Sequence, residues 1–431
     1  MAGSSGSFAT SVGKSSALAR KLFSVALFAQ TQKQPGFSRS LTGPAPSAGD
    51  AINKLKAQTS PDMPVVRVTD LSKTSGDKIS VDMFGVVGGK PIMGDADAEG
   101  TGVALTNSSM DIAIDLMTKV VDAGGKMTQQ RTVHDLRQIA MAQLVSYFAR
   151  LDDQSTLVHL AGDRGTQATE DWIVPLAGDA DFASIMVNPV QPPTYNTHFV
   201  ASGDALVRGG QQLGSIATTD LFKLEHVDGL RTLLDEAVYP LQPVRIADDP
   251  AAADEPMWVL YVSPRQWSSL LTNTSSTGIR AFQQNAWNRA SYGSKHPLFK
   301  GEVGMWNGIL VKKLNRAVRF ASGTTGIKYC TSAGVATAAE STVNLAAAIT
   351  SGFAVDRGIL LGAQAMANVY GKNKASDYHF NWMEKPYNFE RALEVAGDVM
   401  GGKAKLRFNY GGSNTPTDHG VWVLDTTVKL T

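Results

Sequence analysis

A helical repeat of apolar residues near the end of the first third of the chain constrains the fold most. Thr132 and Asp135 form a capping box that begins this helix, and the pattern continues, more weakly, through Val158 towards Gly162. About thirty residues at 1.5 Å each predict a helix about 45 Å long. The apolar positions, at steps of three and four that share one helix face, are Val133, Leu136, Ala140, Leu144, Tyr147 and Leu151.

The segment before this helix has the pattern of strands around a loop. Residues 65–71 and 78–84 are rich in branched side chains and flank a Gly-containing loop, which predicts a hairpin between them. A two-residue alternation, typical of a half-buried strand, follows over Met110, Ile112, Ile114 and Leu116. Because such a ribbon cannot bury both faces by itself, we expect residues 65–124 to lie against something else.

Two shorter helices are predicted farther along. Asp220 can cap the first, which ends before Pro240 and carries Leu224, Val227, Leu230 and Leu234. Ser263-Pro264 supplies an N-cap and a first-turn proline for the second. Residues 359–370 are expected to be helical, or a strand passing into a helix.

Strands are predicted at 257–262, 309–311, 406–410 and 421–424. Residues 321–352 are small and rich in Thr, Ala and Gly, which is typical of a surface loop. Because strands and helices mix without a regular βαβ alternation, the sequence favours the α+β class.

Composition narrows the classes of function. The chain has 431 residues with a net charge of +1, which argues against a strongly basic DNA reader. Its single cysteine, Cys330, excludes an intrachain disulfide and a Cys-built metal site. No apolar run approaches the roughly 18 residues of a membrane span. We expect a protein from a reducing compartment.

The near-neutral total hides an asymmetry. Residues 1–49 contain Lys14, Arg20, Lys21, Lys33 and Arg39 and no acidic residue. This segment is therefore +5 and the remainder sums to −4. We interpret it as an arm or a targeting segment outside the packed core. A secretory signal fits poorly because 21 residues precede the apolar stretch, whereas a mitochondrial transit peptide and an assembly arm both fit the composition.

Two stretches partly match known ligand-binding motifs, but each lacks a residue that its motif requires. Residues 397–404 nearly match a phosphate-binding loop, but Ala404 stands where Ser or Thr must hold magnesium. A turn explains these glycines better. Residues 95–100 begin like a calcium loop, but Thr106 stands where a bidentate Glu is required, so we expect a solvated acidic turn.

No catalytic or metal site is predicted, and no cofactor. Cys330 is expected to be an inert thiol in a loop of small residues, and Asp152, Asp153 and Glu384 lack the spacing of a catalytic carboxylate pair. The tryptophans are expected to anchor the core or subunit contacts. Ordinary surface or helix-face positions are expected for the seven histidines, which lack ligand spacing: His134, His159, His198, His226, His296, His379 and His419.

Seven stretches of the sequence, each weakly specific alone, together carry a resemblance. They are KTSGDKISV (73–81), GKPIMGD (89–95) with Glu99-Gly100, VDAGGKMTQQRT (121–132), YVSPRQW (261–267), PLFKGEVGMWNG (297–308), LLGAQAM (360–366) and DHGV (418–421). In this order they resemble the major capsid proteins of tailed bacteriophages, in a podophage-type branch. The match covers about residues 65–430, and the arm agrees only in general character.

The resemblance implies a Hong Kong 97-type capsid fold, an α+β architecture of four parts. These are an N-terminal arm (1–62), an extended β loop (63–124), a peripheral domain with a long spine helix (125–215 and 376–431) and an axial domain (216–375). The ribbon would be the extended loop, and the helix from Thr132 would be the spine.

The resemblance also implies a function and partners. Such a chain self-assembles into hexamers and pentamers of an icosahedral shell around double-stranded DNA, without catalysis, in the virion and before that in the host cytoplasm. Its partners are further copies of itself and non-specifically bound DNA, with portal, scaffold and decoration proteins as further candidates and no membrane. Some relatives crosslink subunits through an extended-loop lysine, but no residue pattern here demonstrates that chemistry.

Candidate residues follow from these expectations. For contacts between subunits they are Lys73, Lys78, Lys90, Arg131, Asp135 and Trp306, and for DNA at the inner surface they are Lys14, Arg20 and Lys21. Two alternatives stay open. One is an encapsulin-like compartment shell with a protein cargo, and the other is an organellar enzyme with a transit peptide.

Overall fold

A computed structural model shows a mixed fold of many strands and few helices, so the predicted α+β class is confirmed. The residues that the structure describes are 37–43, 62–68, 76–84, 90–93, 99, 102, 107–125, 136–167, 171–237, 240–244, 256–273, 302–332, 339–371, 380–409 and 416–430. Its helices are α1 (Phe37–Leu41), α2 (Leu136–Ala161), α3 (Phe182–Met186), α4 (Leu224–Glu236) and α5 (Pro264–Asn273), with short 3₁₀ helices at Tyr195–Thr197 and Gly210–Gly214.

The strands fall in two groups along the chain. Before and around α2 to α5 lie β1 (Val65–Val68), β2 (Lys78–Phe84), β3 (Asn107–Ala113), β4 (Asp115–Gly125), β5 (His198–Ser202), β6 (Ala205–Arg208) and β7 (Trp258–Val262). After α5 lie β8 (Glu302–Trp306), β9 (Ile309–Lys313), β10 (Val318–Ala321), β11 (Ile327–Cys330), β12 (Glu340–Val343), β13 (Phe353–Leu361), β14 (Met366–Tyr370), β15 (Phe380–Tyr387), β16 (Ala392–Lys405), β17 (Arg407–Asn409), β18 (Pro416–Asp418) and β19 (Val421–Lys429).

The larger sheet has eight strands in the order β6-β5-β19-β13-β7-β9-β8, with β10 also paired to β13. At its centre, β13 and β19 run antiparallel from the pair Phe353–Lys429 to the pair Leu361–Val421. Helix α4 covers one face of this sheet through Leu230 and its apolar neighbours. The last turn of α2 packs among the apolar residues of the other face.

The smaller sheet has five strands built around β16. Strand β15 pairs with its first half, β14 with its last residues, and β1 with the far edge of β14. Gly401 pairs with both Tyr370 of β14 and Asp115 of β4, so β4 must lie along the opposite edge of β16. The inner face of this sheet packs against α2, where Phe148 meets Phe380 edge to face.

The long helix is confirmed, with 26 described residues from Leu136 to Ala161. Thr132 and Asp135, the expected capping box, lie outside the described residues. The apolar face is clear as far as Leu151, after which every residue from 154 to 161 is buried. A helix surrounded on all sides loses its two-faced pattern, which is why the periodicity weakens there.

The predicted hairpin between residues 65–71 and 78–84 is wrong. Strand β1 pairs in parallel with β14, and β2 pairs instead with β3. Val65, Val66 and Val68 are all buried, and a strand buried on both faces is typical of parallel pairing. Nearness in sequence therefore gave the wrong partner for both strands.

Two predictions of local conformation are also wrong because strand pairing decides them. Residues 359–370 form no helix but the end of β13 and all of β14. Residues 397–404 are not a turn but the middle of β16, where a side chain on Gly402 would come within 2.0 Å of the Ala113 carbonyl oxygen. These glycines let neighbouring backbones approach closely.

Residues 321–352 are only partly a surface loop. They include β11 and β12, which pair with each other, and Leu345, Ala346 and Ile349 are buried in the core. Cys330 correspondingly lies in a strand, not in a loop. Among its many small residues, this stretch has enough apolar positions to pack against the larger sheet.

Asp220 does not cap α4. Lys223 stands at the N-cap, and its backbone N–H donates to Nδ1 of His226 at 3.2 Å. The Asp220 carboxylate instead accepts the backbone N–H groups of Gly203 (2.8 Å) and Ala217 (2.7 Å). Its role is to fix a loop beside the helix.

Other local predictions are confirmed. The strand expected at 257–262 is β7, Ile309 begins β9 and Val421 begins β19. At the start of α5, the Gln266 backbone N–H donates to Ser263 Oγ (3.0 Å), and the Ser263 N–H donates to Gln266 Oε1 (2.8 Å). This reciprocal pair is a capping box.

Part of the acid-free segment belongs to the core, against expectation. Leu41 is fully buried, and the Phe37 ring meets Tyr261 edge to face at 4.8 Å. The Ser38 backbone N–H donates to Oδ1 of Asp153 on α2 at 2.9 Å. Residues 37–43 therefore fix this part of the predicted arm to the body of the same chain.

Replacing Leu41 with Ala should destabilise the unassembled protein by about 2–5 kcal/mol, because it leaves a cavity where a buried leucine was. Urea unfolding measures the loss. Ile139→Ala, which shortens an exposed side chain on α2, should change the free energy of unfolding far less. An equal and small effect of both variants would show that residues 37–43 are not part of the core.

Candidate functional site

The described part of the chain contains no group of three or more His, Cys, Asp or Glu side chains placed to hold a metal ion. None of its helices is long and apolar enough to cross a membrane. Cys330 is buried, and burial raises the pKa of its thiol. The structure does contain a set of charged side chains buried in the body and several apolar side chains exposed on its surface.

The most deeply buried charges meet where α2 ends against the larger sheet. Arg357 on β13 lies directly opposite Asp425 on β19 and donates a hydrogen bond to each of its carboxylate oxygens, both at 2.8 Å. Nε2 of His198 on β5 is 2.7 Å from Oδ2 of the same carboxylate. Arg357 also donates to the carbonyl oxygen of Ala161, the last residue of α2, at 3.0 Å. One guanidinium thus joins a helix end to three strands.

The electrostatics of this cluster favour the ionised pair. Burial alone would raise the pKa of the Asp425 carboxyl, but the Arg357 charge and its hydrogen bonds, with His198, lower it to about 2. Burial lowers the pKa of His198, so its ring favours the neutral form. A cation at the carboxyl end of a helix also complements the helix dipole.

A second buried cluster surrounds Asp418 near the chain's end. Lys405 donates to Oδ2 of Asp418 at 2.8 Å and Arg407 to Oδ1 at 3.1 Å, while the Thr194 N–H donates to Oδ2 at 3.1 Å. Burial lowers the pKa of Lys405 to about 8 against the attraction of Asp418. The two cations share one carboxylate that holds residues 194–197 against β16 and β17.

Lys403 joins the smaller sheet to α2. Its Nζ donates to the Asp152 carbonyl oxygen (2.6 Å), Ser155 Oγ (2.8 Å) and Thr156 Oγ1 (3.0 Å), and it lies 2.6 Å from an Asp152 carboxylate oxygen. Every donor of the ammonium group is therefore engaged. These charges are structural, since each is satisfied within the body.

The histidines meet their expectation only in part, since His159 and His226 lie on helices α2 and α4 but none of the described histidines is at the surface. The buried ones are His159, His198, His226 and His419, whereas His134, His296 and His379 lie outside the described residues. Burial lowers the pKa of His159 to about 3 and of His419 to about 4. A neutral imidazole can be buried beside apolar neighbours. The spacing of these histidines in the sequence did not reveal that they are buried.

The β2–β3 hairpin contrasts with this compact interior. In the described part of the chain, β2 pairs only with β3, from the pair Lys78–Ala113 to the pair Phe84–Asn107. On one face Ile112 is buried, and Ile79, Val81 and Met110 pack with it against the core of the same chain, whereas Lys78, Ser80 and Asp82 are exposed. An edge with free backbone donors and acceptors is a template for pairing or packing with another chain.

The candidate contact residues do not converge on one place. Lys78 and Lys90 are exposed. Trp306 is half-buried and donates its Nε1 hydrogen to Oδ1 of Asp228 at 2.7 Å, a contact within the chain. The other candidates, Lys73, Arg131, Asp135, Lys14, Arg20 and Lys21, lie outside the described residues.

Sequence reasoning missed a group of exposed apolar side chains on the outer face of the smaller sheet. Leu116 and Val120 of β4, Met383 of β15 and Phe389 of the turn after it are 48%, 50%, 40% and 98% exposed. A signal was present in β4, where Met117 and Val121 on the inner face interleave with Leu116 and Val120. Apolar residues on both faces of a strand are typical of strands that are covered on both sides.

Comparison with known proteins shows which proteins this chain is similar to. A family model described as phage capsid protein matches residues 10–430. The capsid of Ralstonia phage GP4 is 24% identical, with 92% of each chain covered and a TM-score of 0.69. The Cyanophage Pam1 capsid asymmetric unit is 18% identical, with 86% of this chain and 90% of that chain covered and a TM-score of 0.58.

A third solved structure, the head of Helicobacter pylori bacteriophage KHP40, is 11% identical, with 86% and 88% coverage and a TM-score of 0.53. A comparison with curated proteins gave no match. The structural likenesses confirm the expected Hong Kong 97-type fold.

The buried histidines predict a loss of stability in mild acid. A histidine whose folded-state pKa lies below its unfolded value of about 6.5 binds its proton more readily when unfolded, so its contribution is complete above pH 6.5 and falls as pH decreases. For His419, with a folded pKa of about 4, the loss between pH 7 and pH 5 is about 2 kcal/mol.

Urea unfolding at both pH values measures this loss. The variant His419→Gln should reduce the difference between pH 7 and pH 5 by about that amount, because it removes the titrating group. An unchanged pH dependence in the variant would contradict the neutral, buried state of His419.

Proposed function

The chain belongs to the phage capsid protein family, and on this premise we propose how it performs the work of a tailed-phage major capsid protein. Copies of the chain assemble into hexamers and pentamers of an icosahedral shell around double-stranded DNA. The family match over residues 10–430 is the observation that carries this proposal, since it spans nearly the whole chain. The protein acts through its interfaces and performs no catalysis.

Each part of the chain has a proposed place in the shell. Residues 1–62 form the N-terminal arm, 63–124 the extended loop, 125–215 and 376–431 the peripheral domain, and 216–375 the axial domain. In support, β2 and β3 pair only with each other in the described chain, while β1 and β4 at the two ends of 63–124 pair with β14 and β16. The ends anchor the loop, and one face of the β2–β3 hairpin packs on the same body. The part proposed to reach a neighbouring copy is therefore residues 85–106, beyond the hairpin.

The extended loop lies on the spine region of a neighbouring copy, and the arm passes under adjacent copies. Axial loops pack around the five-fold and six-fold axes. Ring contacts are heterologous, so two different patches meet head to tail and the rotation closes the ring. Lys78 and Lys90 are exposed in the loop. We propose them as subunit contacts together with Lys73, Arg131, Asp135 and Trp306.

The genome is the proposed content of the shell. The acid-free first 49 residues of the arm carry Lys14, Arg20 and Lys21, which contact phosphates weakly and without sequence preference. The body is slightly negative, so it does not hold the packaged DNA tightly. Portal, scaffold and decoration proteins complete the assembly in the virion, which forms in the host cytoplasm.

The alternatives make different predictions. An organellar enzyme with a transit peptide would begin after the arm, yet residues 37–43 are packed into the body. An encapsulin-like compartment would use the same fold around a protein cargo. A terminase or portal gene beside this gene would favour the phage head.

Electron microscopy of the purified chain tests the proposed function. Closed particles of uniform diameter are expected over some range of salt and protein concentration, because hexamers and pentamers of one chain close into a shell. A discrete small oligomer under all conditions would overturn the proposal.

Reversing three arm charges, with Lys14→Glu, Arg20→Glu and Lys21→Glu together, should reduce DNA retention in particles several-fold. The physical reason is that each lost phosphate contact removes salt-dependent affinity. The ratio of absorbance at 260 and 280 nm in purified particles measures genome content.

The matched control makes the same charge change on the body, at the exposed Lys313, Lys328 and Lys429. It should retain more DNA than the arm variant. Equal DNA content in the two variants would show that the arm has no special role at the genome.

A further inference from the structure

The hairpin formed by β15 and β16 ends in an aromatic side chain that touches almost nothing. Tyr387 and Ala392 make its last pair, and residues 388–391 form the turn. Phe389 at the tip is 98% exposed, the largest exposed fraction among the large apolar side chains of the described chain. A phenylalanine in water at a turn, where polar residues are usual, has no stabilising role within its own chain.

The backbone of this tip is held in an unusual conformation. Asn388, Phe389 and Glu390 have φ angles of 53°, 55° and 63°, three successive residues with side chains in the left-handed region. The Arg391 N–H closes the turn on the Asn388 carbonyl oxygen at 3.1 Å, and the Tyr387 hydroxyl donates to Oδ2 of Asp122 on β4 at 3.0 Å. Strained residues that the surroundings hold in place concentrate at functional sites.

The tip lies at the end of a sheet whose outer face carries a second group of exposed apolar side chains. Val120, Ala396 and Met383 lie side by side across β4, β16 and β15. Four of the nine large apolar side chains found exposed in the described residues belong to this sheet and its turn: Leu116, Val120, Met383 and Phe389. Clustered exposure of this kind marks an interaction site more often than scattered exposure does.

The charges around this surface indicate what covers it. Lys385 lies opposite Glu394 across the hairpin, and Glu390 is followed by Arg391 at the tip. With Asp122, these charges sum to −1, whereas a DNA or anionic-membrane contact needs an excess of basic residues. Adjacent opposite charges can pair with the same charges of an identical chain, and a capsid chain meets its own copies on every side.

We propose that the β15–β16 hairpin tip is a contact between copies of this chain, with Phe389 inserted into an apolar recess of a second copy. Leu116, Val120 and Met383 complete the contact along the outer face of the sheet. Because the turn is already formed, binding requires ordering of the ring but not of the backbone that carries it, as expected of an anchor residue. The inference rests on the proposed shell assembly and adds a named anchor to it.

Assembly of Phe389 variants tests the anchor. Phe389→Ser should raise the protein concentration needed for particle formation at least tenfold, as measured by sedimentation, and Phe389→Leu should restore most of the loss because it is apolar. Leu176→Ser removes another exposed apolar side chain, 41% exposed and away from this sheet, and should assemble like the parent. Thermal unfolding of the unassembled chains should be the same for all three variants.

Thiol labelling tests whether a second copy covers the tip. Phe389→Cys introduces an exposed cysteine, while the native Cys330 is 2% exposed and contributes little background. In particles made from this chain alone, without DNA, labelling by a maleimide should be at least tenfold slower than in the unassembled chain. Equal labelling rates would overturn the inference, because the tip would then face solvent in the shell.

The two proposals fail in different ways. If the parent chain forms no shell, the proposed function fails. If the parent forms shells and Phe389→Ser assembles at the same concentration, only the inference about the tip fails.

Discussion

The ion pair between Arg357 and Asp425 is the constraint on which the rest of the structure depends. It lies at the centre of the larger sheet, where β13 and β19 pair, and Arg357 also holds the last carbonyl of α2. Removing either partner would leave an uncompensated buried charge, which costs about 3–5 kcal/mol in proteins. Because α2 in turn carries the smaller sheet through Lys403, the orientation of both sheets follows from where this helix ends.

The distribution of charge explains how a weakly charged chain can serve as a building block. Only 18% of the residues are charged, and several of these are buried in pairs within the body. The net charge is only +1, so like-charge repulsion between copies is weak, and apolar side chains stay exposed at the outer face of the smaller sheet. Such a surface favours association with partners whose net charge is also close to zero, and an identical chain is such a partner.

Sequence reasoning succeeded where local chemistry decides the structure. The repeat of Leu144 and Leu151 predicts α2, and Ser263 before Pro264 predicts the start of α5, since helix periodicity and capping need only near neighbours. It failed for β1, the end of β13 and Gly402, whose conformations depend on strands far along the chain. A short buried apolar run has no period that distinguishes helix from strand.

The same limit applies to the assembly surface. The ordered motifs predicted the family and the fold, because the motifs and their order are both visible in the sequence itself. The exposure of Phe389 and its relation to Val120 required the pairing of β4, β16 and β15, which no local pattern encodes. The lysines of the extended loop are visible in the sequence, but which surface each of them meets depends on a second copy.

The most direct measurement is a cryo-electron microscopy reconstruction of particles formed by this chain alone. We expect every copy to keep the Arg357–Asp425 pair and residues 37–43 in place, with the β2–β3 hairpin packed on its own body and residues 85–106, the part of the extended loop beyond the hairpin, against a different copy. Particles in which residues 85–106 contact only their own copy, or a chain that forms only a small closed oligomer, would contradict assembly through extended loops on a rigid body.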